Sequence, residues 1–235
     1  MTNCKKIFLT GGSGTLGAEL IKFSTEFGIE FIAPRSKVCD VRSYKQLEGH
    51  IASSGCMAVL HSAAETDVKD IERSSTNACE TNVVGTLNVM KICEKYNKKM
   101  IFISTDHVFD GEKGNYKTTD PLNPLTKYAK TKAAAELVVR TYENSLVIRT
   151  SFFGQQFPYP AAFADQWSSK DYVDIIAPKV LEAVANNTFG IVHVGSERKN
   201  LYEIAYARKK DVKKASRFDI KFTTPFDTSL EITNE

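Results

Sequence analysis

The sequence predicts an α/β fold of the doubly wound kind, a parallel sheet covered by helices on both faces, with a small lobe at its C-terminal end. Three observations carry this. Short apolar runs alternate with longer helical patterns. A glycine-rich turn joins the first run to the first helix. The alternation breaks near residue 154, where the chain turns aromatic and proline-rich.

The strand candidates are residues 6–9, 30–33, 57–61, 100–104, 145–149 and 190–194. Most are short and almost continuously apolar, the pattern of strands covered on both faces. Segments 14–27, 44–53, 76–96 and 126–142 read as helices. Such alternation implies parallel pairing through right-handed crossovers, the Rossmann arrangement. Phe157-Pro158-Tyr159-Pro160 marks a loop leading out of the first lobe. Segments 171–186 and 201–209 read as helices of a small lobe over the carboxyl ends of the strands, where ligands bind in such sheets. The expected division is 1–153 for the sheet domain and 154–235 for the lobe, with strand 190–194 rejoining the first sheet.

Gly11-Gly12-Ser13-Gly14-Thr15-Leu16-Gly17 lies between the first strand and the first helix. It satisfies both Gly12-x-Gly14-x-x-Gly17 and the wider Gly11-x-x-Gly14-x-x-Gly17. Glycine lets the backbone turn sharply and bring its N–H groups close to a pyrophosphate. The positive end of the following helix favours that charge. In this strand–turn–helix context the run predicts a dinucleotide cofactor. An acid ending the second strand would hold the ribose of NAD, whereas an arginine there accommodates the 2′-phosphate of NADP. The chain reads Ala33-Pro34-Arg35-Ser36-Lys37, with no acid before Asp40. Arg35 therefore favours NADP(H), with NAD(H) as the alternative.

Bulk properties narrow the class. A chain of 235 residues can bury one large core or two small ones. Its 42% hydrophobic and 25% charged residues are those of a soluble globular protein. The net charge of +3 leaves no nucleic-acid footprint, and Arg208-Lys209-Lys210 with Lys213-Lys214 reads as a solvated face. The 5 cysteines are odd in number and lack metal-ligand spacing, so they read as reduced thiols. No apolar run approaches the length of a membrane helix, and the amino terminus lacks a signal-peptide core. The expectation is a cytoplasmic protein with neither membrane nor nucleic-acid partners.

Tyr128-Ala129-Lys130-Thr131-Lys132 places a phenol and an ammonium four residues apart, on one helix face. A free tyrosine has a pKa of about 10, too high for efficient proton transfer at neutral pH. A nearby cation stabilises the phenolate and lowers that value. The strand 100–104 runs into Thr105-Asp106-His107-Val108-Phe109-Asp110-Gly111. A hydroxyl at that strand end, on Ser104 or Thr105, would hydrogen-bond a substrate carbonyl. Dinucleotide cradle, hydroxyl and Tyr-x-x-x-Lys together make a hydride-transfer site.

These residues carry a resemblance. The chain resembles the extended short-chain dehydrogenase/reductases, most closely the dTDP-4-dehydrorhamnose reductase branch. Supporting segments include Cys39-Asp40-Val41, Ser62-Ala63-Ala64-Glu65-Thr66-Asp67-Val68, Arg149-Thr150-Ser151, Asp165-Gln166 and Asp227-Thr228-Ser229-Leu230. The resemblance implies NAD(P)H-dependent reduction of the 4-keto group of a TDP- or UDP-linked 4-keto-6-deoxy sugar, in deoxysugar synthesis. Tyr128 would donate the proton. Lys132 would lower the phenol's pKa and bind the nicotinamide ribose. Thr105 matches the catalytic Ser/Thr. Asp40 and Val41 would lie by the adenine, and Ala63 and Ala64 along the cofactor.

Position 107 departs from the family. Dehydratases of the superfamily carry Glu there, bifunctional epimerase/reductases Cys, and rhamnose reductases Tyr. His107 would either take a proton beside the ketone or serve as a neutral wall. The first role gives an alternative, a bifunctional 3,5-epimerase/4-reductase or an epimerase. The segment 152–164 is shorter than the family's, which implies a shortened substrate lobe. That shortening favours another alternative, a non-enzymatic dinucleotide-binding regulatory subunit; the intact Thr105, Tyr128 and Lys132 oppose it. Lys170-Asp171-Tyr172 resembles the Arg-Asp-Tyr of related enzymes, implying a diphosphate contact for Lys170. Ala133, Ala134 and Ala135 would let the helix 126–142 pack closely in a homodimer, or serve helix propensity alone.

Overall fold

The structure, a computed structural model, describes residues 4–220 and 224–232. Its centre is a sheet of 6 strands: β1 (Lys5–Thr10), β2 (Ile29–Ile32), β3 (Ala58–His61), β4 (Lys99–Ser104), β5 (Ser145–Arg149) and β6 (Gly190–His193). Every pairing is parallel, in the order β6-β5-β4-β3-β1-β2. The chain leaves β1 toward β2 on one side and then returns to β3 on the other. That reversal opens a crevice at the carboxyl ends of β1 and β3, where doubly wound sheets bind ligands. Residues 34–43 form no further strand and wall the crevice instead.

The two faces of the sheet are read from alternate residues. Ile7 and Leu9 face α1 (Thr15–Phe23) and α5 (Val173–Ala185), through Leu16, Leu20, Val173, Ile176 and Val180. Phe8 faces the other way, into Leu47 and Ile51 of α2 (Tyr44–Ser53) and Val89 and Ile92 of α3 (Gly85–Lys95). Helix α4 (Lys127–Val139) covers the same face with Ala135 and Val139. Each such side chain contributes about 1.5–3 kcal/mol on full burial. Because both faces are covered, the strands read as continuous apolar runs.

Three helices differ from expectation. The pattern over 14–27 breaks after Phe23 into a tight turn, Ser24–Phe27, ended by Gly28 in the left-handed region (φ 66°). The pattern over 76–96 is interrupted by a wide turn, Cys79–Val84, before α3 begins. Asn82 in that turn is buried and bonds to residues outside the helix, which holds the wider winding in place. The third difference concerns the lobe. Segment 171–186, expected there, packs as α5 against the sheet, because its buried stripe is aliphatic and matches Leu16 and Leu20.

What remains of the lobe is small. Short strand pairs join Phe152–Phe153 to Asp171–Tyr172, Ala161–Phe163 to Lys213–Ala215, and Trp167–Ser168 to Lys199–Asn200. Helix α6 (Leu201–Arg208) closes a core of Phe157, Ala162, Tyr172, Ile204, Ala205 and Val212. No helix among the described residues is long and apolar enough to cross a membrane. Their cysteines are free; Cys39, Cys56 and Cys93 are buried.

Beneath the crevice lies a charged knot. Arg149 at the end of β5 grips Glu136 of α4, Nη2 to Oε1 at 2.6 Å, and both side chains are fully buried. Ser104 at the end of β4 donates to the same carboxylate at 2.6 Å. Arg149 also donates to the carbonyl of Thr118 at 3.1 Å and lies 3.3 Å from His193 Nε2, on the strand-end beside it. Removing one partner of a buried pair strands the other charge, at a cost of about 3–5 kcal/mol. Glu136→Gln is therefore expected to lower the unfolding free energy by about that amount, read from the midpoint and slope of a urea titration.

A buried and a half-buried histidine set an acid limit. Burial pushes His61 down to about 3, and burial with the charge of Arg149 pushes His193 down to about 4. Both bind fewer protons folded than unfolded, so stability rises with pH across that window and falls as pH drops below the free value of 6.5. We expect stability to decline between pH 6.5 and about 5, before most carboxylates titrate. His193→Gln should flatten the decline in urea titrations repeated across that range.

Candidate active site

The glycine turn is built to stay bare. A Cβ at Gly17 would lie 2.7 Å from Gly12 Cα, and one at Gly11 would lie 2.6 Å from Ala63 N. Gly11 also has φ 78°, a conformation side chains rarely adopt. Helix α1 starts directly behind it. Gly14 caps that helix with no side-chain hydrogen bond, and its first turn holds no acid. The leading N–H groups are thus left for an anion.

Two cavities flank the turn and share Gly11, Gly14, Ser62 and Ala64. The larger, about 650 Å³, runs over the ends of β1, β2 and β3. Asp40, Val41, Ala63 and Ala64 line it. The other, about 460 Å³, is lined by Thr15, Leu16 and Gly17 on one side and by Thr105, His107, Tyr128 and Lys132 on the other. One continuous crevice therefore brings together every expected site residue except Arg35. Arg35 is exposed and lines neither cavity.

Each reactive side chain has a structural reason for its place. Thr126 caps α4 by accepting the N–H of Ala129 at 3.1 Å, which starts the helix two residues before Tyr128. Thr105 directly follows β4 and accepts the N–H of His107 at 3.2 Å while donating to Asp106 Oδ1 at 3.2 Å. Asp106 is almost wholly buried, and its other oxygen accepts from Ser168 at 2.9 Å and Thr228 at 2.8 Å. Burial alone would raise this carboxyl. In the acid range where it would titrate, protonated His107 and Lys170, with the two hydroxyls, outweigh burial and hold Asp106 below the usual carboxylate range.

The Tyr128–Lys132 pair differs from the sequence expectation. Lys132 donates to the main-chain carbonyl of Ile103 at 2.7 Å, 4.1 Å above the ring of Phe102. Tyr128 opens onto the cleft but is surrounded by protein. Burial pushes its phenol up to about 12, the charge of Asp106 adds to the rise, and the Thr105 hydroxyl opposes it. Lys132 is pushed down to about 7 by burial, with Glu136 opposing. Burial therefore outweighs the neighbouring lysine in setting the direction of the phenol's shift. His107 packs edge-on to Tyr128, ring centres 6.4 Å apart. Burial lowers its pKa, Lys170 adds to the fall, and Asp106 opposes. The imidazole is accordingly neutral near pH 7.

Sequence reading missed three groups. Asn82 holds the crevice wall, accepting from Glu65 N at 2.7 Å and donating to Thr131 of α4 at 2.9 Å. Thr150 lines the catalytic cavity with a buried hydroxyl that has no hydrogen-bond partner among the described residues. Arg42 lines the larger cavity and grips Asp40. Thr150 left a signal as part of Arg149-Thr150-Ser151, without a role, and Arg42 through its place two residues beyond Asp40.

The chain matches the RmlD substrate binding domain family over residues 5–177. It belongs to that family. A dTDP-4-dehydrorhamnose reductase of Aggregatibacter actinomycetemcomitans is 32% identical over 154 residues, covering 64% of this chain and 52% of its own. A crystal structure of a hypothetical dTDP-4-dehydrorhamnose reductase from Sulfolobus tokodaii superposes with a TM-score of 0.84 at 28% identity, covering 96% of this chain and 92% of that one. A dTDP-4-dehydrorhamnose reductase from Bacillus anthracis, solved in complex with NADP, gives 0.88 at 21% identity, covering 97% and 91%. That second likeness shows the fold alone. The chain spans about half the length of the curated relatives it matches.

For this RmlD-family chain the bare turn gives a direct test. Gly17→Ala places a methyl group against the backbone of Gly11 and Gly12. It should weaken NADPH binding at least about tenfold, measured by nicotinamide fluorescence.

Proposed function

We propose that this protein reduces the 4-keto group of a TDP- or UDP-linked 4-keto-6-deoxy sugar, using NADPH or NADH. The observation that carries the reading is the convergence of Thr105, Tyr128 and Lys132 on one cavity that continues into the glycine turn. Their match to the trio expected of a hydride-transfer site supports it, as do the names of the relatives.

The residues present fit a dinucleotide. The uncapped N-terminus of α1 offers amides to its diphosphate, and the bare turn admits close approach. The unpartnered Thr150 hydroxyl leaves a polar group unspent in the same cavity. When bound, the dinucleotide supplies hydride. Tyr128, held protonated by burial and by Asp106, gives the proton to the ketone oxygen. Thr105 orients that oxygen beside the phenol, and Lys132 holds the nicotinamide ribose. Phe152, Phe153 and Pro158 close the cavity's far wall and limit water.

A second reading has one observation in its favour: a neutral His107 on the wall of the same cavity. It would take a proton from carbon beside the ketone and make the protein an epimerase as well. Deuterium entering the sugar from heavy water without added dinucleotide would support it. A regulatory dinucleotide-binding subunit is opposed by the proton-transfer trio, which binding alone does not require.

The test offers NADPH and NADH with a panel of TDP- and UDP-4-keto-6-deoxyhexoses and follows loss of the reduced nicotinamide. Tyr128→Phe should lower kcat by about 10²–10⁴-fold and leave the NADPH dissociation constant within about threefold. Unchanged turnover by that variant removes Tyr128 as the acid.

A further inference from the structure

The Asp40–Arg42 pair lines the larger cavity, and Tyr128 lines the other. Arg42 Nη2 donates to Asp40 Oδ2 at 2.7 Å, and Nε lies 3.0 Å from each carboxylate oxygen. The Arg42 main-chain N–H donates to Oδ1 at 2.9 Å. The segment carrying the pair is itself fixed. Asn88 of α3, nearly buried, donates to the carbonyls of Val41 at 3.0 Å and Arg42 at 3.2 Å. Gly85 of the same helix lets Val41 approach, since a Cβ there would lie 2.7 Å from Val41 Cγ2. An exposed ion pair on a loop usually contributes little. This one is mounted on a rigid backbone, and both members line the 650 Å³ cavity.

The layout of the crevice assigns its contents. The glycine turn takes the diphosphate and the Tyr128 side takes the reacting ring. The larger cavity is then left for the adenosine half, a step that rests on the dinucleotide reading above. The edge of adenine presents a donor, the 6-amino group, next to an acceptor, ring nitrogen N1. Asp40 offers an acceptor and Arg42 offers a donor, side by side. The guanidinium grips Asp40 with Nε and Nη2, and Nη1 is the donor outside that grip.

The geometry points to Arg42 as a specificity-determining residue, one that reads the adenine edge together with Asp40 and so selects adenine dinucleotides by their base. Hypoxanthine reverses the pattern. It carries an oxygen at position 6 and a hydrogen on N1, so its oxygen meets a carboxylate and its N–H meets a guanidinium. The pair rejects that edge, as a site built for one hydrogen-bonding pattern rejects its inverse. Arg42 acts on the base, not the 2′-phosphate, and its effect is therefore the same for NADH and NADPH.

The test titrates wild type and Arg42→Met with NADH, NADPH and reduced nicotinamide hypoxanthine dinucleotide, following binding by nicotinamide fluorescence or calorimetry. No sugar is needed. Wild type should bind the hypoxanthine form about tenfold more weakly than NADH. The variant should lose about five- to tenfold for NADH and NADPH alike, and less than about twofold for the hypoxanthine form. A loss confined to NADPH overturns the proposal and moves Arg42 to the 2′-phosphate. An unchanged set of affinities also overturns it, leaving the pair as a brace for the turn. An equal loss for all three ligands does the same, since the effect would not lie in the base. Wild-type protein that binds no dinucleotide overturns the reading of the crevice along with this one. A melting temperature measured for both proteins separates a folding defect from a binding one.

Discussion

The buried pair of Arg149 and Glu136 fixes the relation between the sheet and the helix that carries the reactive phenol. Arg149 ends β5, Ser104 ends β4 and Glu136 lies on α4, and all three meet at one carboxylate. Taking two charges out of water offsets most of their mutual attraction, so such a pair is a poor source of net stability. Its consequence is geometric. The carboxylate has specific partners on two strands, and α4 cannot slide along the sheet without leaving them unpaired. Glu136 sits one helical turn beyond Lys132, which sits one turn beyond Tyr128. Holding the first in register places the other two over the strand ends.

A second carboxylate ties the small lobe to this frame. Asp106 accepts hydroxyls from Ser168, 62 residues on, and from Thr228, 122 residues on. The lobe thus closes over the cleft on the residue next to Thr105, through hydrogen bonds that are out of water. Buried networks of this kind favour one arrangement because each unsatisfied member is costly. Helix α5 completes the design from the other side. By packing against α1 it extends the sheet domain past the nominal boundary at residue 153, and only the short strands and α6 are left to form a lobe.

Much of this was legible in the sequence, for stated reasons. The strands showed because covering both faces demands unbroken apolar runs, and the glycine turn showed because a close backbone approach excludes side chains. Tyr128 and Lys132 stood out by their spacing, whereas position left Ser104 and Thr105 open and the family resemblance chose Thr105. The unread part is tertiary. Nothing in the spacing of residues 79–84 announces a widened turn, since its cause is the partners of Asn82 at Glu65 and Thr131. Segment 171–186 reads as a helix but not as a member of a particular layer, because an aliphatic stripe suits either one. Strand-end logic points to Arg35 and does not reach Arg42, the arginine whose backbone Asn88 anchors into the cavity wall.

The electrostatics of the cleft follow from the same burial. Tyr128 is pushed up and Lys132 down, so each is driven toward its neutral form. A spacing of four residues promised a cation that stabilises a phenolate, but a pairing rule describes a helix surface in water. Here desolvation dominates both groups, and the Ile103 carbonyl engages the ammonium. The direction suits reduction. In the proposed reaction the carbonyl carbon gains hydride and its oxygen needs a phenol that still has its proton, which the buried Asp106 carboxylate helps to keep there. An anionic ligand beside Lys132 would restore that ammonium, since an opposite charge within about 4–6 Å favours the charged form.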